Sequence, residues 1–174
     1  MTDLEQDLAL LLREIRIFAT LSEAEIAEIR SIGRIVFSRA GATLVRPDDE
    51  ARGMSVIIDG AVRIALDLPD GTWRPLADLK RGDVFGELSL LDRLPLSATA
   101  TALADTRSFF VDGHEFDLMR AHFRPAAYKV VRAIGPIVCG RLCRMEEAMV
   151  ARILKNRATP APESTADVVP SDDS

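Results

Sequence analysis

The residues best placed to do chemistry lie between Phe85 and Ala102, in the run Phe85-Gly86-Glu87-Leu88-Ser89-Leu90-Leu91-Asp92-Arg93-Leu94-Pro95-Leu96-Ser97-Ala98-Thr99-Ala100-Thr101-Ala102. Around a glycine turn it places the carboxylate of Glu87 and the hydroxyls of Ser89 and Ser97. A strand is expected to end at Phe85, Gly86 to turn the backbone, and a short helix to begin near Glu87. The first backbone N–H groups of a helix have no internal partner and carry partial positive charge. Such a turn can hold a phosphate. The chemistry in view is therefore anion binding. Catalysis would need a different set of groups. The only histidines, His114 and His122, fall in a helical stretch outside this run, so neither a Ser/His/Asp arrangement nor a histidine-rich metal site can be assembled from them. We expect no enzyme and no metal.

The elements that must position this run follow from hydropathy periodicity. Residues 4–17 place Leu4, Leu8, Leu11, Leu12, Ile15 and Ile17 at helical spacing. Ser22-Glu23-Ala24-Glu25 has the form of a capping box, and Ile26, Ile29 and Ile32 continue an apolar helical face. From residue 33 to 112 the pattern becomes short strands with turn signals between them, the signature of an all-β sandwich or barrel. Strands are expected at 34–38, 43–46, 54–58, 61–66, 73–79, 84–85, 97–103 and 107–111. Asp59-Gly60 reads as a two-residue hairpin loop between the third and fourth. A short helix from Gly113 to about His122 comes next, then a longer helical pattern from Pro125 to about Leu154. Gly135-Pro136 inside it predicts a kink or break, because proline removes a helix hydrogen bond and crowds the preceding turn.

The expected fold is mainly β with flanking helices: an eight-stranded, jelly-roll-like β-roll with N-terminal helices and a C-terminal helix pair. The segments are 1–32 (helical), 33–112 (roll, with the 85–102 run inside it), 113–155 (C-terminal helices) and 156–174. The last segment is Pro-, Ser- and Asp-rich, with Arg157 against Glu163, Asp167, Asp172 and Asp173, and is expected to be a disordered acidic tail.

Composition narrows the partners. The chain has 174 residues, is 48% hydrophobic and has a formal net charge of −5. That balance argues against a general binder of nucleic acid or anionic membranes. There is no apolar run of about 18 residues and no basic, apolar start of a secretory signal. Two cysteines, Cys139 and Cys143, make no disulfide framework and read as small buried hydrophobes. A cytoplasmic location is expected. Val138, Leu142, Met145 and Met149 recur at spacings that form a short a/d seam, which points to a helix-mediated homodimer.

The 85–102 run resembles the phosphate-binding cassette of the cyclic nucleotide-binding domain family, whose pattern is roughly F-G-E-[LI]-[AS]-L, a gap, then P-R-[AS]-A-[TS]. Three weaker stretches agree in order and spacing: Ile17-Phe18-Ala19-Thr20-Leu21-Ser22, Arg39-Ala40-Gly41-Ala42-Thr43-Leu44-Val45, and Val56-Ile57-Ile58-Asp59-Gly60-Ala61-Val62. The resemblance covers residues 10–155. It implies that Glu87 bonds a ribose hydroxyl, that Gly86, Leu88, Ser89, Ser97 and Ala98 surround a cyclic phosphate, and that Leu142, Cys143 and Met145 lie on a lid helix over the base. It also exposes a departure. The family's phosphate-gripping arginine falls on Leu96, and Arg93, three positions upstream, is the candidate to supply the missing charge. No resident cofactor is implied beyond a candidate cyclic nucleotide ligand. The expectation is a regulatory module that binds nucleotide weakly or in altered form and acts on an unidentified protein partner. The alternative is an active sensor of a cyclic nucleotide or other small anion, signalling through the C-terminal helix.

Overall fold

A computed structural model describes residues 3–50, 52–92 and 98–158. Helix α1 spans Asp3–Glu14 and α2 spans Glu23–Ser31. Eight strands follow: β1 (Gly33–Ser38), β2 (Thr43–Val45), β3 (Gly53–Asp59), β4 (Ala61–Asp67), β5 (Trp73–Lys80), β6 (Val84–Phe85), β7 (Thr99–Ala102) and β8 (Thr106–Asp112). Helices α3 (Gly113–Ala121) and α4 (Pro125–Ala158) complete the order.

The N-terminal helical pattern is shorter than its periodicity predicts. α1 stops at Glu14, Ile15 is extended, and Arg16–Phe18 form a 3-10 turn. Ile15, Ile17 and Phe18 are all buried. In an unbroken α-helix residues 15 and 17 would point about 200° apart. The break lets both face the core. The α2 capping box is present: Ser22 N–H donates to Glu25 Oε2 at 2.6 Å, and Glu25 N–H donates to Ser22 Oγ at 3.3 Å.

The strands form two four-stranded antiparallel sheets, ordered β1-β8-β3-β6 and β2-β7-β4-β5. Their facing side chains make the roll interior: Ile57, Val62, Leu79, Phe85 and Ala100, with Leu44, Val45 and Ile64 packed against them. On the other face of the first sheet, α2 packs on β1 and α3 on β3 and β8.

The hairpin expected at Asp59-Gly60 is absent. β3 pairs with β6 and β8, so neither of its edges is open to β4. Asp59 stays in β3, opposite Arg107, and Ala61 begins β4 opposite Lys80 in the second sheet. Gly60, at φ +93°, is a corner between the sheets, and a Cβ there would meet Thr106 Oγ1 at 2.5 Å. The tight hairpin is instead β4–β5. Leu68 N–H donates to the Thr72 carbonyl at 2.8 Å, and Asp70 accepts from the Thr72 N–H and hydroxyl at 2.9 and 2.6 Å.

Helix α3 is capped by Asp112, which accepts from the N–H groups of His114 and Glu115. Of the kink or break expected at Gly135-Pro136, a break does not occur: Pro136 lies inside α4.

The chain divides into two units at Pro136/Ile137. In the first, Ala126, Ala127, Val130 and Ile134 of α4 are buried at helical spacing. Glu25 accepts from Lys129 Nζ at 2.7 Å, and Glu28 pairs with Arg124, so α2 is tied to the start of α4. The second unit is helical as far as Ala158, and residues 142–151 are all exposed. Cys139 and Cys143 are exposed free thiols, contrary to the burial expected of them. The acidic tail beyond Ala158 lies outside the described residues.

Candidate functional site

The site grows out of a close approach between backbones. Strand β6 pairs with β3 through Phe85 opposite Ser55 and Val84 opposite Val56. The chain then turns at Gly86, which has φ +71° and precedes a 3-10 turn, Glu87–Leu90. A Cβ at Gly86 would lie 2.8 Å from the Gly53 carbonyl oxygen. Only glycine meets both the left-handed backbone and this spacing without strain. Gly53 is itself pressed against β8 and the start of α3, where Gly113 N–H donates to the Arg52 carbonyl at 2.8 Å.

The turn sorts its side chains sharply. Glu87 and Ser89 are 4% and 1% exposed, whereas Leu88 between them is 46% exposed. Ser89 N–H donates to the Gly86 carbonyl at 3.0 Å, and the Leu91 and Asp92 N–H groups both return to the Leu88 carbonyl. The Ser89 hydroxyl is buried with no hydrogen-bond partner among the described residues. A buried hydroxyl is normally paired, so an orphan one marks a place where a ligand or water atom is accommodated.

One positioning residue was not legible in the sequence. Arg120, in the last turn of α3, donates from Nη1 to the carbonyls of Leu90 and Leu91 at 3.0 and 3.5 Å. It thereby fixes the far end of the Glu87–Leu90 turn to α3, and Asp117 one turn back holds its guanidinium at 3.6 Å. Nothing in the spacing of Arg120 relates it to residues 29 and 30 positions earlier.

The expected site residues divide as follows. Gly86, Glu87, Leu88 and Ser89 are brought together in the turn after β6, in the first sheet. Ala98 immediately precedes β7, in the second sheet, so the segment passes from one sheet to the other. Arg93, Leu96 and Ser97 lie outside the described residues. Leu142, Cys143 and Met145 belong to the second unit, where each is exposed. His114 and His122 sit at the two ends of α3, and His122 Nδ1 lies 2.7 Å from the Leu118 carbonyl. Among the described residues no group of three or more metal-type ligands is assembled, and no helix is long and apolar enough to cross a membrane. The turn presents a buried carboxylate, a buried hydroxyl and backbone amides, an arrangement suited to holding a polar ligand.

The chain is similar to known proteins. Residues 35–122, from β1 through α3, match the cyclic nucleotide-binding domain. The chain is 31% identical to the N-terminal domain of a transcriptional regulator from Streptomyces coelicolor A3(2), over 79% of this chain and 96% of that one, with a TM-score of 0.62. It is 25% identical to the Catabolite Activator Protein of Thermus thermophilus, over 80% and 63% of the two chains, with a TM-score of 0.65. Among curated proteins, Glutaminase 1 of Bradyrhizobium diazoefficiens is 30% identical over 122 residues, 70% of this chain and 19% of that one. A CRP-like cAMP-activated global transcriptional regulator of Mycobacterium tuberculosis is 32% identical over 72 residues, 41% of this chain and 32% of that one. The chain thus spans about a fifth to a third of the length of these curated relatives. With its two sheets, its glycine turn and its buried glutamate, the chain belongs to the cyclic nucleotide-binding domain family.

Proposed function

We propose that this chain is a non-enzymatic regulatory module of the cyclic nucleotide-binding type that binds ordinary cyclic nucleotides weakly and acts through protein contacts. The observation that carries this reading is Leu96, an apolar residue where the family's cassette places its phosphate-binding arginine. A hydrogen bond to a charged group contributes about 1.5–3 kcal/mol, so its loss weakens binding by about 10- to 150-fold. Holding the phosphate without a counter-ion adds a desolvation cost. Arg93 is the one cation in the 93–97 segment that could offset this.

In this reading Gly86, Leu88, Ser89, Ser97 and Ala98 form the phosphate cradle and Glu87 the ribose contact. Output passes through the 113–155 helices. Leu142, Met145 and Met149 expose apolar surface along one helix, which supports pairing with a second copy of the chain. The partner is a protein, with no role for nucleic acid or membrane, in the cytoplasm.

The Ser89 hydroxyl favours a second reading. A buried hydroxyl that has no partner among the described residues destabilises a site that has lost its ligand, and satisfying it is a reason to keep a ligand there. The module would then be an active sensor of a cyclic nucleotide or other small anion. Titration calorimetry with cyclic AMP, cyclic GMP and a cyclic dinucleotide separates the two. Dissociation constants weaker than the micromolar range for all three support the first reading, and a micromolar or tighter value for any one replaces it with the second.

A further inference from the structure

Each of the two sheets has two edge strands, and three of these edges are blunted. β6 is two residues long, β2 is three residues long with a register shift, and β5 carries Pro75. Short length, bulges and proline are devices that stop an edge from recruiting another strand. β1 has none of them. Its residues, Gly33 to Ser38, pair with β8 alone among the described residues, without a register shift, and none is proline.

The two faces of this edge differ in chemistry, because alternate residues of a strand point to opposite sides. Gly33, Ile35 and Phe37 share one face. Gly33 is pressed against the Phe109 ring, which a Cβ there would overlap. Further along, the cover ends, and Ile35 and Phe37 are 47% and 60% exposed. Arg107, opposite Phe37 in β8, is already matched by Asp59 at 3.9 Å. The other face holds Arg34, Val36 and Ser38. The exposed Arg34 guanidinium lies 4.5 Å from the ring centroid of Phe110, its neighbour in β8, and no carboxylate pairs with it among the described residues.

A strand added here must satisfy both faces. Beside Ile35 and Phe37 it needs apolar side chains, and beside Arg34 it needs a carboxylate. A segment in which apolar and acidic residues alternate supplies both. A second copy does not, because β1 contains no acidic residue and would bring only another Arg34.

We propose that the open edge of β1 docks an extended segment of a partner protein in which apolar and acidic residues alternate, added as a fifth strand to the first sheet. Its backbone pairs with the groups that β1 leaves free, its apolar side chains cover Ile35 and Phe37, and a carboxylate meets Arg34. β1 and β6 are opposite edges of this sheet, so docking requires no ligand in the cassette.

The test is an amide-detected NMR titration of the full chain with the synthetic peptide acetyl-Thr-Val-Asp-Val-Glu-Val-Thr-amide, and with a counterpart carrying lysine in place of both acids. The acidic peptide is expected to shift the amides of residues 33–38 saturably, and the lysine peptide is not. Phe37→Ser is expected to weaken the acidic peptide about threefold to fivefold, the value of a cross-strand apolar pair. Arg34→Glu is expected to weaken it at least about tenfold and to confer binding of the lysine peptide. Both side chains are exposed, and unchanged second-sheet amides show that each variant is folded. No saturable shift in residues 33–38, equal affinity for the two peptides, or undiminished binding in either folded variant overturns the proposal. Shifts of residues 33–38 that grow with protein concentration in the absence of peptide assign the edge to a second copy and overturn it as well.

Discussion

At the scale of single residues, Gly86 sets the geometry of the turn after β6. Gly86 has a left-handed backbone and a carbonyl where its Cβ would be. Gly86→Ala should therefore destabilise the fold by about 1–3 kcal/mol, combining the positive-φ penalty with displacement of the Gly53 backbone. Urea denaturation reads this directly. Gly41→Ala is the control, since a Cβ at Gly41, also at positive φ, meets nothing within 4 Å and the variant should show only the smaller φ penalty. Equal losses in the two would mean that the Gly86–Gly53 approach carries no energy. Arg120 acts on the same turn from behind. Arg120→Leu leaves the Leu90 and Leu91 carbonyls without this donor, and amide hydrogen exchange in residues 87–92 should speed up while that of the β4–β5 hairpin is unchanged.

At the scale of elements, the tie between α2 and α4 is titratable. Lys129, together with the Ser22 backbone N–H, holds the Glu25 carboxyl below its usual range. A carboxylate depressed in the folded state contributes stability that is complete above its unfolded pKa and lost as pH falls through the folded one. Stability should fall through the acid side of the ordinary carboxylate range, and Lys129→Met should flatten that part of the profile. A thermal unfolding series against pH in both chains checks this, and parallel profiles would remove Glu25–Lys129 as a staple. Elements also show where local sequence signals mislead. Asp59-Gly60 announces a tight turn, and a turn is there. What it joins is decided by pairings with β6, β8 and β5, remote in sequence. The spacing of Ile15 allows a helix there. Burying Ile15, Ile17 and Phe18 together requires the helix to end first.

At the scale of the whole molecule, the eight strands and the order of helices around them were legible because turn residues and apolar alternation are local. Which strands pair within each sheet was not, and neither was the Arg120 latch, since both depend on residues that meet only in the folded chain. Gly86 and Glu87 were legible as a pair because a glycine turn leading into a short helix is a local signal. Cys139 and Cys143 are exposed, which helical spacing alone does not reveal, because it does not say whether another surface covers a helix. Leu142, Met145 and Met149, each more than half exposed, give the homodimer proposal its test. Sedimentation equilibrium should show a concentration-dependent dimer, and the double variant Leu142→Glu/Met145→Glu should be monomeric with unchanged far-UV dichroism. A wild-type chain monomeric at all concentrations would contradict that proposal.

The central claim is that the cradle after β6 is intact and its phosphate counter-charge is missing. Titration calorimetry of cyclic AMP into the wild-type chain and into Leu96→Arg tests it most directly. The account predicts binding weaker than micromolar in the wild type and at least about tenfold tighter in the variant, the value of one restored charge-assisted hydrogen bond. Micromolar binding by the wild type, or no gain in a folded Leu96→Arg chain, would contradict it.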